Sequence, residues 1–277
     1  MSLIEQVNLA ETGEKAEING YTEFVDSALE NPEIARRIGI GLHRAGTATA
    51  LLMGSFEALM FNRVIGLGLG QPATKVEVDE LIESYRQAGI KRYGFQLIPG
   101  AQPAGLPGWL GKQGFRAGDN WAKCIRGNEP APQVQTDLEI KPVGPEEAGA
   151  FARIACNVFH LPDFLQPWTA SLVGRAGWNH YMAYDGSKPV ATGSLFVRNE
   201  VGWLGSGATL HEYRQRGAQG AIMARRIKDG LEQGCRWLVT ETPEDTPARP
   251  NPSYHNMRRT GFKLAYLRRT YLSSACD

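Results

Sequence analysis

The chain has 277 residues, of which 42% are hydrophobic and 21% are charged, and its formal net charge is +1. This composition is typical of a folded globular protein and excludes a disordered or fibrous chain. A net charge so close to zero gives no broad field for nucleic acid or an anionic membrane, and the length favours two domains of about 100 to 150 residues each.

The N-terminal stretch and the cysteines bear on the cellular compartment. "MSLIEQVNLAETGEKAE" carries acids where a signal peptide needs basic residues, and no long uncharged apolar segment follows it. None of the four cysteines has the C-x-x-C spacing of a zinc or redox site; they are Cys124, Cys156, Cys235 and Cys276. We expect a cytoplasmic protein with reduced thiols, no metal, no membrane segment and no nucleic-acid partner.

The first half of the chain begins to show clear elements at a glycine-rich stretch. "GLGLGQP" (66–72) lacks the third glycine of the dinucleotide-binding fingerprint and indicates the end of a strand. "VDELIESYRQAGIKRYGFQLIPG" (78–100) then predicts a helix, a glycine and a strand. "LGKQGFRAGDNWAKCIR" (110–126) places a further strand after Gly114-Phe115.

A domain boundary is indicated by "RGNEPAPQVQTD" (126–137), where Gly, Pro and polar residues interrupt both helical and strand periodicity. We therefore predict two domains, residues 1–130 and residues 131–277.

After the boundary the pattern changes to strands and one helix. "LEIKPV" (138–143) predicts a strand, and "GPEEAGAFARIACNVF" (144–159) predicts a helix with an acidic first turn. Residues 180–197 give two apolar runs joined by Asp185-Gly186, the sequence of a tight hairpin turn. Residues 201–210 predict another strand.

From Ala221 the apolar residues recur at four-residue spacing, as Met223, Ile227 and Leu231, which predicts an amphipathic helix ending near Gly234. "CRWLVTET" (235–242) follows as a buried strand, and "MRRTGFKLAYLRRTYL" (257–272) closes with a Gly-Phe pair and a strand. The first half shows the same order of helix, glycine, strand and Gly-Phe. This similarity predicts a duplicated domain.

The switch into the second-half helix, "EYRQRGAQGAIMARRI" (212–227), has the features of an anion site. The start of a helix exposes unpaired backbone N–H groups, and Gly217 and Gly220 let an anion approach them. Arg214 and Arg216 offer charge-assisted bonds. The alternative is a loop with solvated arginines. No G-x-x-x-x-G-K-[ST] motif occurs, which excludes a P-loop nucleotidase.

These residues resemble the cofactor motif of the GNAT N-acetyltransferases, V-x-P-x-Y-R-x-x-G-x-G/A, with Thr209, Tyr213, Arg214 and Gly217 in register. The resemblance covers residues 138–272, and a weaker one covers the first half. It implies an α/β (α+β) fold of two GNAT-like acyl-CoA N-acyltransferase domains, each with a mixed, mostly antiparallel sheet flanked by helices. The first domain would be degenerate and the second catalytic.

The resemblance also implies acetyl-CoA as cosubstrate. The strand that ends in "GATL" would pair with the pantetheine arm, the glycine-rich turn would hold the pyrophosphate, and a backbone N–H near Thr209 or Leu210 would polarise the thioester carbonyl. The cofactor-binding residues would be Thr209, Leu210, Arg214, Arg216, Gly217, Ala218, Gln219, Gly220, Ala221, Ser253 and Asn256.

The first domain has different chemistry at the corresponding turn, "GQPATKVEVDE" (70–80). Pro72 lacks an N–H, and Glu77, Asp79 and Glu80 place negative charge at the start of the helix. We therefore expect the first domain not to bind coenzyme A.

The chain departs from the family pattern at three positions. His211 replaces a proline outside the anion turn, and Gln219 stands where the family prefers Gly or Ala. Met257 occupies the position of the tyrosine that often protonates the departing thiolate, which leaves the general acid open.

Two residues are candidates for catalysis. Glu241, at the end of the "WLVTET" strand, is the candidate base, and a solvated strand-end carboxylate is the alternative. Tyr254 is a candidate donor to the thiolate, as is Tyr266, and packing is the alternative role.

The function predicted from the sequence is acetyl transfer from acetyl-CoA to a primary amine of a small molecule, in the C-terminal domain. A noncatalytic acyl-CoA-sensing module is a second hypothesis, favoured by Met257. A peptide or protein N-terminal acetyltransferase is a third. The sequence leaves the acceptor and the formation of a homodimer open.

Overall fold

The computed structural model describes residues 3–274 and separates the chain into two compact units. The first unit contains the chain up to Lys123, Thr242–Thr246 and the stretch from Leu264 onward, and the second contains Cys124–Glu241 and Pro247–Lys263. The contacts therefore group the last strand of the chain with the first unit. The domain limits at residues 130 and 131 stay a prediction.

The first unit is built on a sheet with the strand order β1-β2-β3-β4-β12, and β5 also pairs with β12. All of these pairs are antiparallel except β3 with β4. The elements are α1 (Leu3–Leu29), α2 (Pro32–Ile38), β1 (Ile40–Ala45), β2 (Ala48–Met53), β3 (Arg63–Ile65), α3 (Lys75–Gln87), β4 (Gly94–Leu97), α4 (Leu106–Lys112), β5 (Arg116–Ala117), β6 (Trp121–Arg126) as far as Lys123, and β12 (Lys263–Leu272) from Leu264.

The helix, glycine and strand predicted for residues 78–100 are confirmed as α3, Gly89 and β4. Helix α3 begins at Lys75 because Thr74 and Glu77 form a capping box, in which each side chain accepts a bond from the other residue's N–H. The long helix α1 and the β1–β2 hairpin were not predicted from the sequence.

A buried charged cluster joins α1 to the sheet of the first unit. Glu17, which is fully buried, accepts bonds from Arg63 (2.7 Å), Lys123 (2.5 Å) and Arg268 (2.6 Å). Burial alone would raise the pKa of Glu17, but the three cations hold it well below its ordinary value. The cluster therefore fixes α1 with an ionised carboxylate.

The second unit has the strand order β7-β8-β9-β10-β11, antiparallel except for β10 with β11. Short 3-10 turns precede α5, α6 and α7. The elements are β7 (Glu139–Pro142), α5 (Ala148–Val158), α6 (Gln166–Ala170), β8 (Trp178–Asp185), β9 (Lys188–Arg198), β10 (Val201–Thr209), α7 (Ala218–Glu232), β11 (Trp237–Pro243) as far as Glu241, and α8 (Pro252–Arg259).

The predicted strands and helices of the second half are confirmed, including the β8–β9 hairpin at Asp185-Gly186. The predicted helix at residues 144–159 begins with a 3-10 turn, Pro145–Glu147. Helix α7 begins at Ala218 rather than at Ala221, because Gly217 has a positive φ (81°) that turns the chain into the helix.

Helices cover both faces of this sheet. Phe151 and Ile154 of α5 form a core with Met182 of β8. Tyr181, the residue before Met182 on β8, points to the opposite face and donates to Asp229 of α7 (2.8 Å). No helix in residues 3–274 is long and apolar enough to cross a membrane.

Candidate functional site

Strands β10 and β11 separate after a short parallel ladder. Within residues 3–274 the ladder contains the pairs Val201–Trp237, Gly202–Leu238 and Trp203–Val239. In the part of the chain that the structure describes, strand β10 then continues to Thr209 paired with β9 only. Because β11 leaves it, the last part of β10 has an edge that no strand among the described residues pairs with, and its backbone groups can bond a ligand there.

A bulge lies in β10 at this open edge. The register with β9 shifts between Gly205 and Ala208. The side-chain amide of Gln219 bridges β9 and β10 at the bulge. Its Nε2 donates to Thr192 O (3.1 Å), Ala208 O (2.7 Å) and Thr209 Oγ1 (3.0 Å). Gln219, a departure from the family pattern, thus holds the end of β10 with its side chain.

The two backbone amides predicted to polarise the thioester carbonyl face opposite ways. The N–H of Leu210 donates to Val190 O of β9 (3.0 Å), and so the prediction for Leu210 does not fit the structure. Backbone groups of successive residues alternate between the two edges of a strand. The N–H of Thr209 is therefore directed to the open edge, and Thr209 remains the candidate.

The start of α7 offers N–H groups to an anion. In residues 3–274 no acceptor is found for the N–H groups of Ala218, Gln219 and Gly220, and no side chain caps the helix. The N–H of Ala221 makes the first bond of the helix, to Gly217 O (3.0 Å). Ala221 is one of the predicted cofactor-binding residues, but this bond occupies its N–H, and so Ala221 is not a free donor to an anion.

The two arginines of the turn have different surroundings. The guanidinium of Arg216 is paired with Asp137 and with Asp185 (2.9 Å). Hydrogen bonds from Arg216 lower the pKa of both carboxyls, and the two carboxylates raise that of Arg216. Arg214 is exposed, and the described part of the chain holds no partner for it. Arg214 is thus available to an anion, whereas the side chain of Arg216 holds the turn in place.

Residues 134–136, at the end of the predicted boundary stretch, pack against the turn. A Cβ on Gly217 would lie 2.8 Å from Gln135 O, and one on Gly220 would lie 3.1 Å from Val134 Cγ1. Thr136 Oγ1 donates to the carbonyl of the residue before Gly217 (2.7 Å). Gly217 is therefore required by its left-handed backbone and by the carbonyl beside it, whether or not an anion binds, whereas a side chain at Gly220 would need only a small shift of Val134.

Glu241, the candidate base, lies on β11 just after the strands separate. The indole Nε1 of Trp203 donates to both of its carboxylate oxygens, at 3.1 Å each. Trp203 is buried, and Trp178 packs edge-on against its ring with the centroids 6.1 Å apart. Trp203 was not predicted as a functional residue, because no local pattern in the sequence shows that its indole reaches the next strand.

Helix α8 carries the remaining predicted residues. Ser253 is exposed, and its N–H donates to the N-cap residue Asn251 (3.0 Å). Asn256 accepts a bond from Arg259 (2.6 Å) through its carboxamide oxygen, which leaves its NH₂ group for a ligand.

The candidate proton donors to the departing thiolate differ in their surroundings. Met257, at the family's tyrosine position, is buried. Tyr254 is half-buried on the same helix and packs edge-on against His255. Tyr266 belongs to the first unit, where its hydroxyl donates to Glu14 (2.7 Å) and burial raises its pKa well above the ordinary value. This bond excludes Tyr266 as a ready proton donor to a thiolate.

No group of three or more His, Cys, Asp or Glu in the described residues has a metal-binding arrangement. Cys124, Cys156 and Cys235 are buried and belong to no disulfide, and Cys276 lies outside the described residues. Burial raises the pKa of the Cys235 thiol to about 11, which makes it a poor nucleophile.

No protein-family model matches the chain, and no curated protein matches it. Several solved structures match the chain. A GCN5-related N-acetyltransferase from Kribbella flavida is 18% identical, with a TM-score of 0.62 over 84% of this chain and 89% of its own. A second one, from Sphaerobacter thermophilus, is 15% identical, with a TM-score of 0.59 over 82% of this chain and 76% of its own.

A tandem GNAT protein from the clavulanic acid biosynthesis pathway is also similar. It is 15% identical, with a TM-score of 0.56 over 76% of this chain and 74% of its own. The chain therefore has the mixed, mostly antiparallel sheet flanked by helices of the GNAT N-acetyltransferase fold. Degeneracy of the first half stays a prediction.

Proposed function

We propose that the protein is a cytoplasmic N-acetyltransferase that transfers acetyl from acetyl-CoA to a primary amine of a small molecule, with its catalytic site in the second unit. One observation carries the proposal. The open edge of β10, at Thr209, leads along the chain directly to the unpaired N–H groups at the start of α7. An extended chain that ends in a phosphate fits such a pair of features.

The residues present suit coenzyme A. The N–H groups of Ala218, Gln219 and Gly220, together with the guanidinium of Arg214, would hold the pyrophosphate. The open edge at Thr209 would take the pantetheine amides, and Asn256 and Ser253 would face the same arm from α8.

Acetyl transfer to an amine requires a proton acceptor for the ammonium, a polarised thioester carbonyl and a proton donor for the leaving thiolate. Acetyl-CoA supplies an activated acetyl group as a thioester. In the proposed mechanism Glu241 takes a proton from the acceptor ammonium, and the N–H of Thr209 bonds the carbonyl oxygen. Tyr254 is the proposed donor to the leaving sulfur.

The test combines binding with turnover. Coenzyme A is titrated into the protein by calorimetry, and release of coenzyme A from acetyl-CoA is then measured with a panel of primary amines. Binding together with amine-dependent release supports the proposal. Failure to bind coenzyme A contradicts it.

A noncatalytic acyl-CoA-binding module is the second candidate. The observation in its favour is Met257, a buried thioether at the position of the usual acid. Tight binding of coenzyme A without release over the whole amine panel would decide for this candidate.

A further inference from the structure

Three polar side chains in the second unit are buried without a hydrogen-bond partner in the described part of the chain. They are His180 (3% exposed, both ring nitrogens), Ser194 (0%, Oγ) and Trp178 (8%, Nε1). Folded proteins bond nearly all buried polar groups, because an unbonded one loses its water without replacement. A ligand or an ordered water is then expected to supply the missing bonds.

The three side chains are neighbours on one face of the sheet, and we call them the buried polar row. His180 of β8 lies directly opposite Ser194 of β9. The ring of Trp178 stacks on that of His180, with centroids 5.5 Å apart, and Phe151 of α5 packs edge-on against His180 at 4.8 Å. The row therefore lies beneath α5.

The row leads towards the candidate base. Ser194 is opposite Gly205 of β10, which has no side chain on this face. The ring of Trp203 fills the space, since a Cβ on Gly205 would lie 3.3 Å from it. The same indole donates to Glu241. Trp203 thus lies between the buried polar row and the carboxylate.

The chemistry of the row favours a neutral ligand. Burial lowers the pKa of His180 to about 4, so its ring is neutral at neutral pH and offers one donor and one acceptor. Ser194 also offers both, and Trp178 offers a donor. A hydroxyl group, which donates and accepts, matches this set.

We propose that the buried polar row binds a hydroxyl group of the acceptor while the acceptor's ammonium bonds Glu241. This inference rests on the proposed function. Strands β9 and β11 are two strand spacings, about 10 Å, apart. The acceptor would thus be a short amino alcohol whose apolar body lies along Trp203.

Trp203 would act as the cover of the row. Its position is held by the bond from Nε1 to Glu241. An ammonium that takes the carboxylate competes with this bond and so releases the indole from Gly205. A ligand carrying both groups therefore opens the space that its hydroxyl enters.

The experiment compares matched pairs of amines that differ only in one hydroxyl, and measures the Michaelis constant of each. In the parent protein we expect the hydroxyl to lower the constant about tenfold, the effect of one hydrogen bond. His180→Phe and Ser194→Ala should bring the ratio close to one. The melting temperature of both should stay or rise, because an unbonded buried group has been removed.

Thr192→Val is the matched control. Thr192 is also on β9, but its hydroxyl is bonded to Ser206 O (3.0 Å), and so the variant should lose stability and keep the preference for the hydroxyl.

Three results would overturn the proposal. Loss of stability in His180→Phe and Ser194→Ala with an unchanged preference would mean that the row holds only an ordered water. A parent that acetylates amines without preferring the hydroxyl would reject the acceptor site and leave the proposed function intact. A parent that binds coenzyme A but acetylates no amine would reject both.

Discussion

Both carboxylate oxygens of Glu241 lie 3.1 Å from the indole Nε1 of Trp203, across the point where β10 and β11 separate. A single donor shared between two oxygens fixes the plane of the carboxylate, and Trp178 in turn fixes the indole. The candidate base is therefore oriented before any substrate binds.

The first prediction concerns this pair. Glu241→Gln should lower the turnover number about 10²- to 10⁴-fold, the usual contribution of a general base, without changing the affinity for coenzyme A. Trp203→Phe should give a smaller loss, because the carboxylate is still present but no longer oriented. Steady-state kinetics and calorimetry measure the two effects. Equal turnover in Glu241→Gln and the parent would remove Glu241 from the mechanism.

The second prediction separates the two arginines of the turn. Arg214→Ala should weaken coenzyme A binding about 10- to 150-fold, through loss of roughly 1.5 to 3 kcal/mol from a charge-assisted bond. Its melting temperature should be unchanged, and Arg214→Lys should recover part of the affinity. The turnover number should hold, because the pyrophosphate lies far from the thioester.

Arg216→Ala should behave in the opposite way and lower the melting temperature, since its partners Asp137 and Asp185 lose their cation. The pKa of each carboxyl is lowered in the folded protein, so this stability is present above about pH 4 and is lost as the pH falls through the lowered values. Melting curves of parent and variant should converge in acid. A constant difference at every pH would contradict the ion-pair role.

The third prediction concerns Gly217. Gly217→Ala should destabilise the protein by more than roughly 1 to 2 kcal/mol, because a left-handed conformation is strained and the new Cβ meets Gln135 O at 2.8 Å. Gly234→Ala is the matched control, with a φ of 86° and no atom within 4 Å of the new Cβ, and should show the conformational cost alone. Chemical denaturation measures both. Coenzyme A affinity should fall only in Gly217→Ala.

The fourth prediction is a pH dependence from His180. Its pKa is lowered by burial from 6.5 to about 4, so the unfolded chain binds the proton first as the pH falls. The neutral His180 therefore costs no stability above pH 6.5. As the pH falls from 6.5 towards 4, the free energy of unfolding decreases by roughly 3 kcal/mol because of this group. His180→Phe should not show this decrease in the free energy of unfolding. Parallel curves for variant and parent between pH 7 and pH 4 would show that His180 does not titrate as a buried neutral ring.

The fifth prediction is a stoichiometry of one coenzyme A per chain. The start of α3 is closed by its own capping box, since Glu77 Oε2 accepts the N–H of Thr74 at 2.7 Å and leaves a carboxylate where a phosphate would bind. Calorimetric titration gives the number directly. A second equivalent, or coenzyme A density at residues 70–80, would contradict the prediction.

The sequence by itself determined the local elements. The pair Asp185-Gly186 requires a tight turn, and the spacing of Met223, Ile227 and Leu231 requires an amphipathic helix, because both depend on residues close together in the chain. The anion turn followed from the same local chemistry, and the GNAT resemblance pointed to the fold.

Tertiary structure decided which of these groups are available to a ligand. Arg214 and Arg216 are equivalent in sequence, but only Arg216 meets Asp137 and Asp185. The amide of Leu210 is bonded to Val190, whereas that of Thr209 is not directed there.

Tertiary structure also decided which unit the last strand belongs to and which polar side chains are buried. Strand β12 pairs with β4, and its residues from Leu264 onward belong to the first unit. No local feature of the sequence marks His180. Its ring is buried by Phe151 and by the neighbouring strand, which leave its two nitrogens without a hydrogen-bond partner in the described residues. In each case the deciding partner is distant in sequence, and only the packing of the sheet brings the two together, which a periodicity over neighbouring residues does not record.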